Sequence, residues 1–159
     1  MLCESERGVA YNLSRAHHPG MMNHHLRSMN GSDPWAVVLS ARPPHGAPQD
    51  PSTWRYIQAA GNAQAMMLEL CQPGGADIGA VSVRAIIGHP PNGLIERDFE
   101  IVMPRAVETI ARHEVFTAEE AVDLFERIYR TDTIGDGYVL RNVEGYTADG
   151  SHVYPADRG

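Results

Sequence analysis

The sequence predicts an α+β fold, in which an antiparallel sheet of about five to six strands packs against one main C-terminal helix behind a flexible N-terminal arm. Two observations carry this prediction. From Pro34 onward, short apolar runs alternate with segments rich in Pro and Gly, as strands and their connections do in an antiparallel sheet. Further along, apolar residues recur at helical spacing directly after a helix-start signal. A chain of 159 residues is the size of one ordinary domain.

Residues 1–33 are expected to form an irregular extension, because they show neither a helical nor an alternating apolar period. They carry the pairs His17-His18 and His24-His25, and imidazole nitrogen is a common ligand of zinc, nickel and copper. The spacing fits no standard metal site, and Pro19-Gly20 predicts a turn between the pairs. We therefore predict a flexible arm without a bound metal, followed by a domain that starts at Pro34.

The first half of the domain is predicted to form an antiparallel meander, the simplest topology for consecutive short strands. The strand candidates are residues 35–41 (WAVVLSA), 54–60 (WRYIQAA), 65–72 (AMMLELCQ) and 81–88 (VSVRAIIG). The loop 42–52 separates the first two, because its four prolines exclude regular strand pairing. Alternation in the second candidate places Trp54 and Tyr56 on one face of the sheet.

Two residues of the third strand candidate have reactive side chains. Glu69 interrupts an apolar run, and a lone carboxylate there is expected to be a solvent-facing or edge-strand charge rather than a catalytic base. Cys71 is expected to be a small core residue. Because Cys3 and Cys71 are the only cysteines of the chain, no disulfide framework is indicated.

A further strand is predicted at residues 96–104 (ERDFEIVMP), where alternation places Asp98 and Glu100 on one face and Phe99 and Ile101 on the other. Paired carboxylates can bind a divalent cation or act as acid and base. However, acidic residues two apart on a strand usually mark its solvent side, and no histidine or third acid accompanies them at a suggestive spacing. The next segment, residues 104–113, is predicted to be a short helix or an irregular connection with Val107 and Ile110 packed inward.

Thr117 and Glu120 form a capping box and predict the start of the main helix. The helix has an apolar stripe expected to pack on the sheet, made of Ala121, Leu124, Phe125, Ile128 and Tyr129. A last strand is predicted at residues 138–143 (YVLRNV), with Tyr138, Leu140 and Val143 closing the core. The predicted domain ends at residue 146, and residues 147–159 are expected to fray.

Charge and composition limit the function classes. A formal net charge of −7 argues against unaided binding to nucleic acid or to an anionic membrane, and suits a basic protein partner. The thirteen basic residues are all arginine, which indicates a GC-rich coding sequence, as in actinobacteria. No apolar run approaches the roughly 20 residues that cross a bilayer, and no signal-peptide pattern is found at the start. We therefore expect a cytoplasmic protein.

The last part of the chain resembles a known family. The capping Thr117, the run AEEA at 118–121, the helix end YRT at 129–131 and the run GYVLR at 137–141 resemble the end of Imm1-type immunity proteins of bacterial polymorphic toxin systems. Residues 54–69 (WRYIQAAGNAQAMMLE) resemble the aromatic-rich strand pair of that family. The similarity, over residues 35–144, implies a cytoplasmic α+β protein that binds a cognate toxin and blocks it. It implies no catalytic residue, metal or cofactor.

On this resemblance, the contact surface is expected to combine Asp98 and Glu100, or carboxylates of the helix, with an aromatic anchor. Trp54 and Tyr56 are the candidates for that anchor, because binding energy concentrates in such residues. The partner is expected to be a basic protein toxin such as a nuclease, since opposite charge speeds association.

Two alternatives from other classes remain open. The first is a small α+β enzyme or small-molecule-binding protein with a pocket between helix and sheet, in which His89, His113 or Glu69 supplies polar chemistry. The second is a homodimer that forms through an exposed face of the sheet, which a solution mass measurement distinguishes.

Overall fold

The α+β fold is present in the computed structural model, which describes residues 2–5, 10–12, 20–41 and 50–156. The helices are α1 (Gly20–Arg27) and α2 (Ala118–Thr131). In chain order, the strands of the described residues are β1 (Leu2–Ser5), β2 (Ala10–Asn12), β3 (Ala36–Ser40), β4 (Tyr56–Asn62), β5 (Ala65–Pro73), β6 (Ser82–Gly88), β7 (Arg97–Met103), β8 (Ala106–Ala111), β9 (Val115–Phe116), β10 (Val139–Tyr146) and β11 (His152–Val153).

One large antiparallel sheet has the strand order β11-β10-β6-β5-β4-β3-β1-β2, and the short strand β9 pairs with β5. The predicted meander is confirmed, because β3, β4, β5 and β6 are neighbours in sequence order. The predicted final strand adds to it as β10, next to β6. Strands β7 and β8 form a separate two-stranded hairpin.

One face of the sheet, which we call the helix face, packs against both helices. The register places Leu39, Ile57 and Leu70 in one row across β3, β4 and β5, and all three are buried. The apolar stripe of α2 covers this row, and Leu124 and Phe125 of that stripe are among the most deeply buried side chains. Removal of these side chains from water supplies most of the stabilisation of the domain.

The opposite face, which we call the hairpin face, carries a smaller core under the β7–β8 hairpin. Met67 of β5 and Ile86 of β6 pack there against Ile101 and Ile110 of the hairpin. The predicted alternation in β7 is therefore confirmed for Ile101, which points inward. Residues 104–113 were predicted as a helix or irregular connection, and this prediction is wrong.

The segment forms β8 because it is rich in β-branched residues, which favour strands, and because it pairs with β7. The pairing of Val102 with Val107 and of Glu100 with Thr109 fixes the register of the hairpin. A proline just before this segment suits a helix start equally well, so the sequence alone did not separate the two outcomes.

The predicted start of the domain at Pro34 is also wrong. Met22 and Leu26 of helix α1, and Met29 two residues after its end, contribute three buried side chains to the core on the helix face. Met22 and Leu26 are four residues apart and therefore lie on one side of the helix. The two turns of α1 are too short for a periodic pattern to stand out in the sequence.

The end of the domain differs from the prediction as well. Residues 147–156 do not fray; Thr147 and Ser151 close a turn, with Thr147 N donating to Ser151 O at 2.9 Å, and β11 pairs with β10. Tyr138 packs against the core of the helix face, and Val143 packs under the hairpin. Leu140, which was expected to close the core, is partly exposed.

The capping box of α2 is formed as predicted. The Glu120 carboxylate accepts from Thr117 N at 2.8 Å, and Thr117 Oγ1 accepts from Glu120 N at 3.4 Å. We expect Thr117→Ala to reduce the free energy of unfolding by about 1 kcal/mol, because it leaves the backbone N–H of Glu120 without its side-chain acceptor. Urea denaturation followed by circular dichroism measures the effect. Thr117→Ser keeps the hydroxyl and should stay near wild type; equal losses for both variants would contradict the capping role.

Candidate functional site

The hairpin carries the two acidic residues predicted to bind a partner. Asp98 and Glu100 of β7 are both exposed. Asp98 lies at an irregularity of the strand and accepts a hydrogen bond from Arg112 Nη2 at 2.9 Å, so its charge is partly neutralised. Glu100 has no ion pair with any described residue. Of the two predicted carboxylates, Glu100 is therefore the one available to an external cation.

Exposed apolar side chains lie on and beside the same hairpin. Val102 and Val107 face each other across β7 and β8 with 62% and 54% of their surface exposed. In the loop before β7, Leu94 and Ile95 are 88% and 51% exposed. We call the set Leu94, Ile95, Asp98, Glu100, Val102 and Val107 the hairpin strip. Large apolar side chains that cluster in solvent are typical of surfaces that bind other proteins.

A groove of about 430 Å³ lies at the loop end of the hairpin strip. It is lined by Leu94, Ile95 and Asp98 of the strip, together with the Asp98 partner Arg112 and with His113. The Arg112 guanidinium carbon also lies 5.9 Å from the centre of the Phe99 ring, a distance typical of a cation–π contact. The groove thus combines apolar walls with a bound pair of opposite charges.

The predicted aromatic anchors lie outside the hairpin, since Tyr56 begins β4 of the large sheet and Trp54 lies two residues before it. The Trp54 ring meets the Tyr146 ring of β10 edge-on, with centroids 4.9 Å apart. Tyr56 of β4 lies opposite Cys71 of β5, and burial raises the pKa of its hydroxyl well above the ordinary value. Both rings are partly buried against their own chain. Neither ring belongs to the hairpin that carries Asp98 and Glu100.

Glu69 is buried, so its predicted solvent-facing or edge-strand position is wrong. It lies on the hairpin face of the central strand β5, and Arg84 Nη1 of the neighbouring β6 donates to its carboxylate at 2.5 Å. Burial raises the pKa of Glu69, and the positive charge of Arg84 opposes this rise. A charge on an interior strand is tolerated here because the next strand supplies its counter-charge.

Arg84 also binds a second buried carboxylate. Its Nε donates to Glu144 at 3.0 Å, and Glu144 accepts from the Tyr146 hydroxyl at 2.8 Å and contacts His152 Nδ1 at 2.5 Å. Burial alone would raise the pKa of Glu144, but the hydrogen bonds from His152 and Tyr146 and the Arg84 charge lower it overall. Each carboxylate is thus paired, and we interpret this cluster as a structural ion network.

A second ion pair fixes the segment before α2. Glu114 is buried and accepts from Arg141 Nε at 2.6 Å, from Arg141 Nη2 at 2.9 Å and from the Ala111 amide at 2.9 Å. Burial acts to raise the pKa of Glu114, but the Arg141 and Ala111 hydrogen bonds lower it overall. This geometry ties β8 to β10 and leaves the carboxylate no free oxygen for a reaction.

A cavity of about 500 Å³ lies between the end of α2 and the sheet, where the alternative reading placed a pocket. None of the residues proposed for that pocket lines it. His89 instead stacks on Phe116 with ring centroids 4.5 Å apart, the His113 carbonyl accepts from His89 N at 2.7 Å, and Glu69 belongs to the ion network. The cavity therefore has the predicted location but not the predicted acid–base groups.

The histidine pairs and Cys71 are the remaining candidate residues with reactive side chains. The pair His17-His18 lies outside the described residues, and His24-His25 lies on α1. Within the described ranges, no group of three or more His, Cys, Asp or Glu side chains is placed to hold a metal ion. Cys71 is buried as predicted, and burial raises the pKa of its thiol to about 11, so it is not a reactive thiolate at neutral pH.

The sequence did not single out Val102, Leu94 or Ile95, and the expectation that Val107 packs inward is wrong. The exposure of the valines depends on the pairing of β7 with β8, which the prediction for residues 104–113 missed. For the Arg84 network a signal was present, because Glu69 and Arg84 are each a single charge within an apolar run of neighbouring strands. Two such charges on paired strands indicate a buried ion pair.

No helix in the described part of the chain combines the length and the apolar character that crossing a membrane requires. In comparisons with known proteins, the chain matches no family model, no curated protein and no solved structure.

Proposed function

We propose that this protein is an immunity protein, which binds a cognate bacterial protein toxin through the hairpin strip and neutralises it without catalysis. The observation that carries this proposal is the exposure of Leu94, Ile95, Val102 and Val107 on and beside one hairpin. Four large apolar side chains exposed to solvent lower the solubility of the protein, and such exposure is typical of a surface that a partner covers. The resemblance of residues 35–144 to immunity proteins supplies the class of partner.

Charge supports a basic partner. The chain has a formal net charge of −7, which attracts a cationic toxin at long range and raises the rate of association. Within the hairpin strip, Glu100 has no ion pair in the described part of the chain and can receive an arginine or lysine of the partner. Asp98 can do so only in exchange for Arg112, which already donates to it.

We place the centre of the contact at Val102 and Val107 rather than at Trp54 and Tyr56. A partner gains binding energy roughly in proportion to the apolar surface that it removes from water. Trp54 and Tyr56 are already partly covered, by Tyr146 in the case of Trp54, so a partner gains less by covering them. We propose Trp54 and Tyr56 as contacts at the edge of the toxin-binding surface.

The test is capture of the toxin by the tagged protein from its native lysate at moderate salt, followed by mass spectrometry and by a growth assay of toxin neutralisation. We expect one basic protein at equal stoichiometry with the wild type. Val102→Asp/Val107→Asp should lower affinity at least about a hundredfold, since two charges then have to be buried in an apolar contact. Asp98→Arg/Glu100→Arg should also lower the affinity for the toxin, and the loss should be larger at low salt than at high salt.

Val139→Asp is the matched control. Val139 is also an exposed apolar strand residue, but it lies on β10 outside the hairpin strip, so the variant should capture and neutralise the toxin like the wild type. Unchanged capture by the Val102/Val107 variant, with a wild-type circular dichroism spectrum, would remove the hairpin strip as the binding surface. Captured toxin that stays active in the growth assay would refute neutralisation.

A further inference from the structure

The cavity at the end of α2 has the size and the walls of a ligand site. Its volume of about 500 Å³ falls within the range of roughly 300–1,000 Å³ that is typical of small-molecule pockets. Leu39 and Leu70 of the sheet and Ile128 of α2 line it with apolar surface. Ile134 and Tyr138, from the segment that joins α2 to β10, add the remaining apolar wall. Neither the ion network nor the hairpin strip contributes to this lining.

The segment over the cavity is held in place by specific contacts. Asp132 ends α2 in the left-handed conformation, at φ 58°, and its N–H donates to Ile128 O at 2.9 Å. Arg55, just before β4, donates to the Asp132 carboxylate at 2.7 Å and so joins the sheet to the end of the helix. This pair spans 77 residues of sequence. The cavity is therefore formed by the fold before any ligand arrives, which lowers the entropic cost of binding.

Three charged side chains line the cavity, and two of them, Arg55 and Asp132, neutralise each other in their ion pair. The third, Asp136, is exposed to solvent and forms no ion pair with a described residue. An anion would therefore meet no unpaired cation in this lining, and a cation would gain little from a solvent-exposed carboxylate. Either charged ligand would lose hydration against the apolar walls without compensation, which is unfavourable.

We propose that this cavity binds a small uncharged molecule that has an apolar body about the size of a fused aromatic ring and one hydrogen-bonding end. The apolar body lies against Leu70 and Ile128, and the polar end lies near Gln72, Thr133 and the Arg55–Asp132 pair, all of which line the cavity. This inference is independent of toxin binding, which uses the hairpin strip.

The test compares three probes that share an indole ring and differ in charge: tryptophol is neutral, tryptamine is a cation and indoleacetate is an anion. Binding is followed by the amide signals of the ¹⁵N-labelled protein. We expect tryptophol to shift the signals of Leu70, Ile128 and Ile134 with a Kd on the order of 1 mM or tighter. The two charged probes should bind about tenfold more weakly.

Leu140→Trp and Val139→Trp form a matched pair of variants. The two residues are neighbours on β10 and are each 37% exposed, but only Leu140 lines the cavity. Because neither is fully buried, both variants should fold. Leu140→Trp should weaken tryptophol binding at least about fivefold by filling the cavity, and Val139→Trp should leave it unchanged.

Three results would overturn the proposal. The first is the absence of shifts at those amides with tryptophol at about 5 mM, which is above the expected Kd. The second is tighter binding of either charged probe than of tryptophol. The third is equal tryptophol binding by the two tryptophan variants. Toxin capture serves as a separate readout and should be the same for Leu140→Trp and wild type. Failure of the cavity proposal therefore leaves the proposed function untouched, and failure of toxin capture leaves the cavity proposal untouched.

Discussion

Replacing Arg84 with methionine is expected to lower the free energy of unfolding at pH 7 by about 3–5 kcal/mol, because removal of one partner leaves buried charges uncompensated. Arg84 is the guanidinium that pairs with Glu69 at 2.5 Å and with Glu144 at 3.0 Å. Both carboxylates are buried on the hairpin face. Urea denaturation of wild type and Arg84→Met, monitored by circular dichroism, measures the difference.

The pH dependence of the same variant gives a second test. Without Arg84, the folded-state pKa of Glu69, which burial already raises, should rise further above the unfolded value of about 4.3, and that of Glu144 should rise from its lowered value. The folded state then takes up protons before the unfolded state does. The loss of stability should therefore be full at pH 7 and shrink as the pH falls toward about 4.3.

Arg84→Met/Glu69→Gln is the control for the charge argument. It removes one cation together with one of its two buried carboxylates, so it should recover part of the stability lost in the single variant. A single variant that loses less than about 1 kcal/mol, or a loss that does not depend on pH, would show that the ion network carries little of the stability.

Replacing Leu26 with alanine is expected to lower the free energy of unfolding by about 2–5 kcal/mol, the usual cost of truncating a large buried side chain. Leu26 of α1 is completely buried in the core on the helix face. The result bears on the domain boundary, because it distinguishes an integral helix from an appended arm. Urea denaturation at pH 7 measures it.

Leu94→Ala is the matched control for this truncation. It removes the same atoms from an exposed leucine of the loop before β7 and should change stability by less than about 0.5 kcal/mol. Equal and small effects of the two substitutions would mean that α1 does not belong to the cooperative unit. The same control variant also reports whether Leu94 contributes to toxin capture.

The sequence predicted elements well where a signal was local and complete. The capping box at Thr117 and Glu120 and the apolar stripe behind it predicted α2, and the structure contains both. The strands β3 to β6 were predictable because each is an apolar run bounded by proline, glycine or turn residues. These signals need no knowledge of the partner element, since capping and alternation act within one segment.

Prediction failed where the outcome depended on a distant partner. Helix α1 is short, and its two buried side chains gain their stability by packing on the core, which its own sequence does not reveal. Strand β8 was ambiguous until its pairing with β7 was known. Strand β11 has only two residues and is ordered by β10.

For the candidate sites too, the sequence indicated local features and missed contacts between distant residues. Strand alternation correctly indicated that Asp98 and Glu100 are exposed, because a strand that packs on one side leaves its charges on the other. It gave no indication that Arg112 partly neutralises Asp98, because that contact crosses from β7 to the end of β8. The resemblance, and not alternation, grouped Trp54 with the acids, and nothing in the sequence indicated that Trp54 packs on Tyr146.

By itself, the sequence determined the α+β class, the capped helix α2, the central meander and the acidic charge of the chain, because these follow from local period, capping and composition. Only the tertiary structure decided that Arg84 neutralises two buried carboxylates, that Val102 and Val107 remain exposed together, and that a cavity lies beneath residues 132–138. Burial, ion pairing and cavity shape depend on which segments meet in space, and contacts between residues far apart in sequence set that.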